Sequence, residues 1–210
     1  MKNIIKQHPV IAILRNVPEQ DFLYYLDSLY EGGLRAFEIS FSHDGAERQI
    51  REAKMHLPCD VPVGAGTILT VSDAGRAQDA GADFMLSPSA NPSVLSHCAK
   101  ENLKFLPGVF SPTDVSICLE YGFSTLKLFP ADCVNTGYLK ALKGPFPDTD
   151  YVAVGGVSPE NIFDYLNAGY IGAGIGSSLV KKEDFADKNW SKIRASINQF
   201  IDHLNKEMNK

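Results

Sequence analysis

The sequence predicts a (β/α)8 barrel, and three observations carry the prediction. Glycines recur where apolar helical stretches end, a short apolar run follows each of them, and 210 residues hold eight such units without a long insertion. EGGLRAFEIS, DAGADFMLS, EYGFSTLKLF and NAGYIGAGIG share this rhythm, with Gly33, Gly81, Gly122 and Gly169 at the left-handed position that closes a helix. These glycines lie 48, 41 and 47 residues apart, so each interval holds one further strand and helix and the repeat is about 24 residues.

In chain order, strands are expected at residues 10–14, 36–40, 61–64, 84–87, 104–106, 125–129, 151–154 and 171–175. Most are short and apolar, as strands covered on both faces should be. The first helix after them carries the stripe Phe22, Leu23, Leu26, Leu29 and Tyr30, and the last carries Ile193, Ile197, Phe200, Ile201 and Leu204. Ser111-Pro112 and Ser158-Pro159-Glu160 place a capping hydroxyl before a first-turn proline, and Asn91-Pro92 does so with an amide. An open doubly wound sheet is the competing architecture. It calls for a glycine-rich turn after the first strand, where this chain has Leu14-Arg15-Asn16-Val17-Pro18. No linker or charge block divides residues 1–210, which are expected to form one domain.

With 25 acidic and 20 basic residues the net charge is −5, which argues against wrapping nucleic acid or an anionic membrane. No apolar stretch approaches about eighteen residues, and MKNIIKQHPV lacks the features of a signal peptide, so a cytoplasmic protein is expected. Cys59, Cys98, Cys118 and Cys133 form no C-x-x-C pair, and the five histidines show no i, i+4 pairing; neither a metal nor another cofactor is expected.

Strand alternation puts polar residues where a barrel interior should be apolar. Ala36, Glu38 and Ser40 share one face of the second strand, with Phe37, Ile39 and Phe41 on the helix-facing side. Thr125, Lys127 and Phe129 share the inner face of the sixth, with Leu126 and Leu128 opposite. A buried carboxylate and a buried ammonium must be paired, shifted in pKa or functional. A structural ion pair is one explanation. The other is chemical: a lysine in a low-dielectric site exposes a nucleophilic amine able to condense with a ketone, and a nearby carboxylate can move protons.

At strand ends, the Arg15 guanidinium suits bidentate binding of a carboxylate. Thr67 either offers a hydroxyl to the same group or caps the next helix. Gly155-Gly156 after the seventh strand and GAGIGSS at the eighth let backbone N–H groups approach a phosphate, with Gly176 and the hydroxyl of Ser177 or Ser178 beside it. Ser177 stands where a dinucleotide fingerprint would have its third glycine, so the segment is not one.

AILR at Arg15, FEIS at Glu38, VGAGTIL at Thr67, LPG at residues 106–108, LKLFPA at Lys127, VGGVSPEN at residues 154–161 and GIGSSLV at residues 174–180 resemble the 2-keto-3-deoxy-6-phosphogluconate / 4-hydroxy-2-oxoglutarate aldolase family. Their order and spacing span residues 9–180. The resemblance implies a TIM barrel and a class I, metal-independent aldolase. Such an enzyme cleaves a phosphorylated 2-keto-3-deoxy sugar acid to pyruvate and glyceraldehyde 3-phosphate. It implies Lys127 as the Schiff-base lysine, Glu38 as general acid/base, Thr67 and Arg15 at the pyruvate carboxylate, and Gly156 and Ser177 at the distal phosphate. A homotrimer is implied as well.

Two positions depart from the family pattern. Ser42 stands where many gluconate-type members have arginine, as in the branch acting on the galactonate epimer, which VGGVSPEN and AGIGSS resemble most closely. Ser89 stands in the segment Ser87-Pro88-Ser89, which often reads SPG. Three alternatives compete with this reading: a 4-hydroxy-2-oxoglutarate aldolase, a phosphate-binding isomerase or epimerase with no need of an inward lysine, and a non-catalytic phospho-sugar-acid sensor.

Overall fold

In a computed structural model of the chain, which describes residues 1–135 and 137–208, the short apolar runs form parallel strands: β1 Val10–Leu14, β2 Phe37–Ser40, β3 Val63–Gly66, β4 Phe84–Leu86, β5 Phe105–Leu106, β6 Gly108–Val109, β7 Thr125–Leu128, β8 Asp150–Val154 and β9 Gly172–Ile175. Their order in the sheet is β5-β4-β3-β2-β1-β9-β8-β7-β6. The two ends of that order are halves of one strand, so the barrel is the expected (β/α)8 barrel with its fifth strand split. Pro107 causes the split, because it has no N–H to donate. Its carbonyl instead accepts from Lys127 N at 2.9 Å, which hands the chain from β4 to β7. Gly108 lets this seam close: a Cβ there would lie 2.2 Å from the backbone carbon of Pro88.

The helices are α1 Lys2–Gln7, α2 Phe22–Glu31, α3 Ala46–His56, α4 Val71–Asp79, α5 Pro92–Lys100, α6 Pro112–Glu120, α7 Gly137–Lys143, α8 Ile162–Ala168, α9 Lys182–Ala186 and α10 Trp190–Met208. Gly33, Gly81, Gly122 and Gly169 all have positive φ, as the repeat requires. Ser111 caps α6 in a reciprocal box with Asp114, and the Asn91 side chain accepts from Ser93 N at the start of α5.

Three local expectations are corrected. The third strand begins at Val63 rather than residue 61, because Pro62 has no N–H and only its carbonyl pairs, with Phe37 N at 3.1 Å. Ser158 does not cap α8. It opens a turn in which Ser158 N donates to Asn161 Oδ1 at 2.8 Å, and the helix starts at Ile162. In α2, Leu23 is 37% exposed, while Tyr25 is buried and meets Phe185 edge to face. Successive helical residues lie about 100° apart, so Tyr25 shares the face of Phe22, Leu26 and Leu29 and Leu23 turns away.

Alternation divides the apolar core in two. Ala12, Leu14, Phe37, Ile39, Leu126 and Leu128 pack outward against the helices, whereas Ile11, Ile13, Ala36, Phe84, Leu106 and Val152 fill the barrel. The helix α1, unforeseen from the sequence, closes the N-terminal end. Its Ile5 is fully buried among the inner residues, a contribution of roughly 1.5–3 kcal/mol. A Cβ at Gly172, the first residue of β9, would approach Ile5 Cγ2 to 2.7 Å. With the lower barrel filled by aliphatic groups, polar inner residues are left to the C-terminal half.

Candidate active site

Glu38 and Lys127 both turn into the barrel, as strand alternation predicts, and are 2% and 5% exposed. Neither the carboxylate nor the ammonium is at home there. Burial pushes the Glu38 carboxyl above the usual carboxylate range, and the positive charges of Lys127 and Arg15 only partly offset it. Burial likewise holds the Lys127 ammonium below the usual lysine range, with Glu38 opposing the shift and Arg15 adding to it. The pair is not a closed structural ion pair: Glu38 Oε2 is buried with no hydrogen-bond partner among the described residues. Lys127 Nζ lies 4.8 Å from the centroid of Phe129, the next inner side chain along the strand.

Gly66, at the end of β3, makes room for Glu38. A Cβ at this position would fall 1.5 Å from Oε1 and 2.1 Å from Cδ, so any side chain must displace the carboxyl. Gly66→Ala is expected to fold and to lose activity roughly a hundredfold or more, approaching the loss caused by removing the carboxylate. Circular dichroism alongside turnover checks this; unchanged turnover would mean that the position of the carboxyl is immaterial.

Thr67 follows with φ of 61°, a left-handed conformation costly for a β-branched residue. Of its two expected roles, helix capping is excluded, because Thr70 caps α4 through Asp73. Its hydroxyl instead meets Ser40 Oγ at 2.9 Å. Ser40 donates to Ser42 Oγ at 3.2 Å, and Ser42 donates to Asn16 Oδ1 at 3.3 Å. Ser42, in place of an arginine, is therefore a link in a hydroxyl chain. At Ser89, the backbone N–H donates to Ser87 Oγ at 3.1 Å and the carbonyl accepts from it at 2.9 Å, so the departure is absorbed in a local turn.

A cavity of about 430 Å³ opens at the C-terminal end of the barrel, a volume suited to a small ligand. Arg15, Gly155, Gly156, Gly176, Ser177 and Lys182 stand in its wall. Phe129 also lines it, which places Lys127 directly behind the wall. Glu38 and Thr67 lie outside the lining. Arg15, the first residue beyond β1, stands exposed in the cavity wall, and its charge still reaches Glu38 and Lys127.

Gly155 and Gly156 have φ of 96° and 71°, and a Cβ at Gly156 would sit 2.3 Å from Asp132 Cβ. Asn161 Nδ2 braces the turn by donating to Gly156 O at 2.9 Å. Ser178 Oγ donates to Val157 O at 2.5 Å, so Ser177 is the serine whose hydroxyl stays available to the cavity. Lys182 is the functional candidate missed in the sequence. It lies in VKKED, which reads as an ordinary solvated charge run, and only the turn into α9 brings it to the cavity.

A parallel barrel with a buried lysine and carboxylate on its inner face and a cavity at its C-terminal end defines an enzyme working on a small molecule. The family described as KDPG and KHG aldolase matches residues 1–196. The 2-dehydro-3-deoxy-phosphogluconate aldolase of Haemophilus influenzae is 36% identical over 199 residues, covering 94% of this chain and 92% of that protein. A probable 2-dehydro-3-deoxy-6-phosphogalactonate aldolase of Rhizobium meliloti is 36% identical over 176 residues, 83% of each. The KDPG aldolase of Legionella pneumophila, solved with pyruvate captured as a covalent carbinolamine, superposes with a TM-score of 0.88 at 27% identity, covering 95% of this chain and 97% of that one. The chain belongs to the KDPG and KHG aldolase family and is a carbon-carbon lyase.

Proposed function

We propose that the chain reversibly cleaves 2-keto-3-deoxy-6-phosphogluconate or its galactonate epimer to pyruvate and D-glyceraldehyde 3-phosphate through a Schiff base on Lys127. The observation that carries this reading is the buried amine, held toward its neutral form, behind a cavity whose wall carries the cations Arg15 and Lys182 and a glycine-serine cradle. Lys127 Nζ adds to the C2 ketone, and loss of water from the carbinolamine gives a protonated imine. Glu38, through water, takes the C4 hydroxyl proton; the C3–C4 bond breaks, its electron pair enters the imine to give an enamine, and the aldehyde leaves. Glu38 returns the proton to C3, and water releases pyruvate from the lysine. Arg15 and Thr67 hold the carboxylate, while Gly155, Gly156, Gly176 and Ser177 hold the phosphate. A lactate-dehydrogenase-coupled assay on both 6-phospho epimers and on 4-hydroxy-2-oxoglutarate tests the reading. Pyruvate should form fastest from a phosphorylated substrate, and no pyruvate from either would overturn it.

Lys182 is the cation of the phosphate end, since Arg15 is the other cationic residue of the cavity wall. Lys182→Ala should raise KM for the phosphorylated substrate roughly tenfold, the value of one charge-assisted hydrogen bond. The rate of pyruvate methyl-proton exchange, which involves no phosphate, should not change.

We infer a homotrimer in the cytoplasm. Leu69, Val71 and Phe110, which follow the third and fifth barrel strands at the same end of the barrel, are 47%, 41% and 40% exposed and offer apolar side chains to a second copy. Sedimentation equilibrium should give three times the chain mass; a monomer at micromolar concentration would exclude it. The exposed free thiols of Cys59 and Cys133 suit a reducing compartment.

A further inference from the structure

On α3, Ala46, Gln49, Ile50 and Ala53 form the buried face at helical spacing, and Gln49 is its polar member. The side chain is 2% exposed. An apolar residue of the same length would pack there with no polar group to satisfy. Gln49 instead crosses to the segment that follows β1, where its Nε2 donates to Val17 O at 2.9 Å in a buried bond. A backbone carbonyl can only accept, so the amide must present its N–H to Val17. Its own oxygen is then buried without a partner among the described residues.

What the bond holds is one wall of the cavity. Arg15, Asn16 and Val17 all line it. The chain leaves the sheet at Leu14, Asn16 takes a left-handed φ of 53°, and the next turn closes where Asp21 N donates to Pro18 O at 3.0 Å. Between these points the backbone of residues 15–17 makes a single hydrogen bond among the described residues, the one from Gln49. Gln49 and Val17 are both buried, so bulk water is a poor substitute for the amide. A shift of the Val17 carbonyl carries with it Arg15, two residues away.

We propose that Gln49 is a positioning residue for the carboxylate end of the site: by donating to Val17 O, its amide fixes the segment after β1 and with it the place of the Arg15 guanidinium in the cavity wall. The inference rests on the reading that Arg15 holds the substrate carboxylate, and the test separates the two. Gln49→Met keeps the length and burial of the side chain and removes the donor. KM for pyruvate, read from exchange of its methyl protons by NMR, should rise roughly threefold to tenfold with little change in kcat. The pH midpoint for borohydride trapping of pyruvate on Lys127 should move upward, in the direction of Arg15→Gln, because a displaced Arg15 lowers the lysine pKa less. A role in stability alone would leave both readouts unmoved in folded protein, and that result would overturn the proposal.

Gln49→Glu supplies a rescue with the same side-chain shape. Ionised, the carboxylate cannot donate to Val17 O and should raise KM as Gln49→Met does; protonated, it donates again. The ratio of its KM to that of the unaltered enzyme should therefore fall as the pH is lowered. A raised ratio that stays constant with pH would mean that the amide acts through its shape, and would overturn the proposal. In the Arg15→Gln background, Gln49→Met should add nothing further to KM. An equal, additive rise there would mean that Gln49 acts on another group, and likewise counts against it. Arg15→Gln with unchanged KM would remove the carboxylate role of Arg15 and the proposal with it. If Arg15→Gln raises KM and folded Gln49→Met does not, the carboxylate reading stands and the tether alone is overturned.

Discussion

Lys127→Ala is expected to lower pyruvate release by roughly four orders of magnitude or more while the barrel stays folded, because the other amine at the cavity, Lys182, is exposed in its wall and lacks the burial that favours the neutral form. Removing a desolvated ammonium does not open the aliphatic inner core, which lies nearer the N-terminal end. Borohydride added with pyruvate should leave a reduced pyruvyl group on Lys127 of the unaltered enzyme, seen by peptide mass spectrometry. An unmodified Lys127 in folded, active protein would sink the Schiff-base reading. The reaction also has a predictable pH dependence. Attack needs the neutral amine, and burial lowers the Lys127 pKa, so trapping should rise with pH and level off below the ordinary lysine range. Arg15 contributes to that lowering, so Arg15→Gln should move the midpoint to higher pH. A midpoint at or above the usual lysine value in the unaltered enzyme would contradict the burial argument.

Glu38→Gln should cost roughly 10²–10⁴ in turnover, the range for loss of a general acid/base, while pyruvate can still be trapped on Lys127. Glutamine retains the shape of the side chain beside Gly66 but carries no transferable carboxyl proton. Exchange of pyruvate methyl protons, which needs proton transfer at C3, should fall with turnover. In this variant the trapping midpoint should move to lower pH, since the Glu38 charge is what raises the Lys127 pKa. If turnover falls but methyl exchange does not, the carboxylate serves the C4 hydroxyl alone.

Much of this site is legible in the sequence. The period of two along AFEIS and TLKLF turns Glu38 and Lys127 to one face, and the same alternation sends Phe37, Ile39, Leu126 and Leu128 to the other. Thr67 is legible only as a residue with two uses, and the structure removes one of them, because Thr70 is the helix cap. Lys182 and Asn16 were not legible as site residues, because a lysine in a charged run and an asparagine in a turn have the same local signature wherever they face. Ser158 shows the converse, a good capping sequence overridden when Asn161 satisfied its backbone N–H.

The barrel class, the inward lysine and glutamate and the glycine cradle follow from the sequence alone, because each rests on short-range periodicity or on backbone conformations few residues adopt. Only the tertiary structure decided how the barrel closes across Pro107, that α1 plugs its N-terminal end, and that Asn16, Ser42, Ser40 and Thr67 join in one chain. Those contacts unite residues from separate loops and strands. Their meeting depends on barrel closure, a long-range condition that no local pattern encodes.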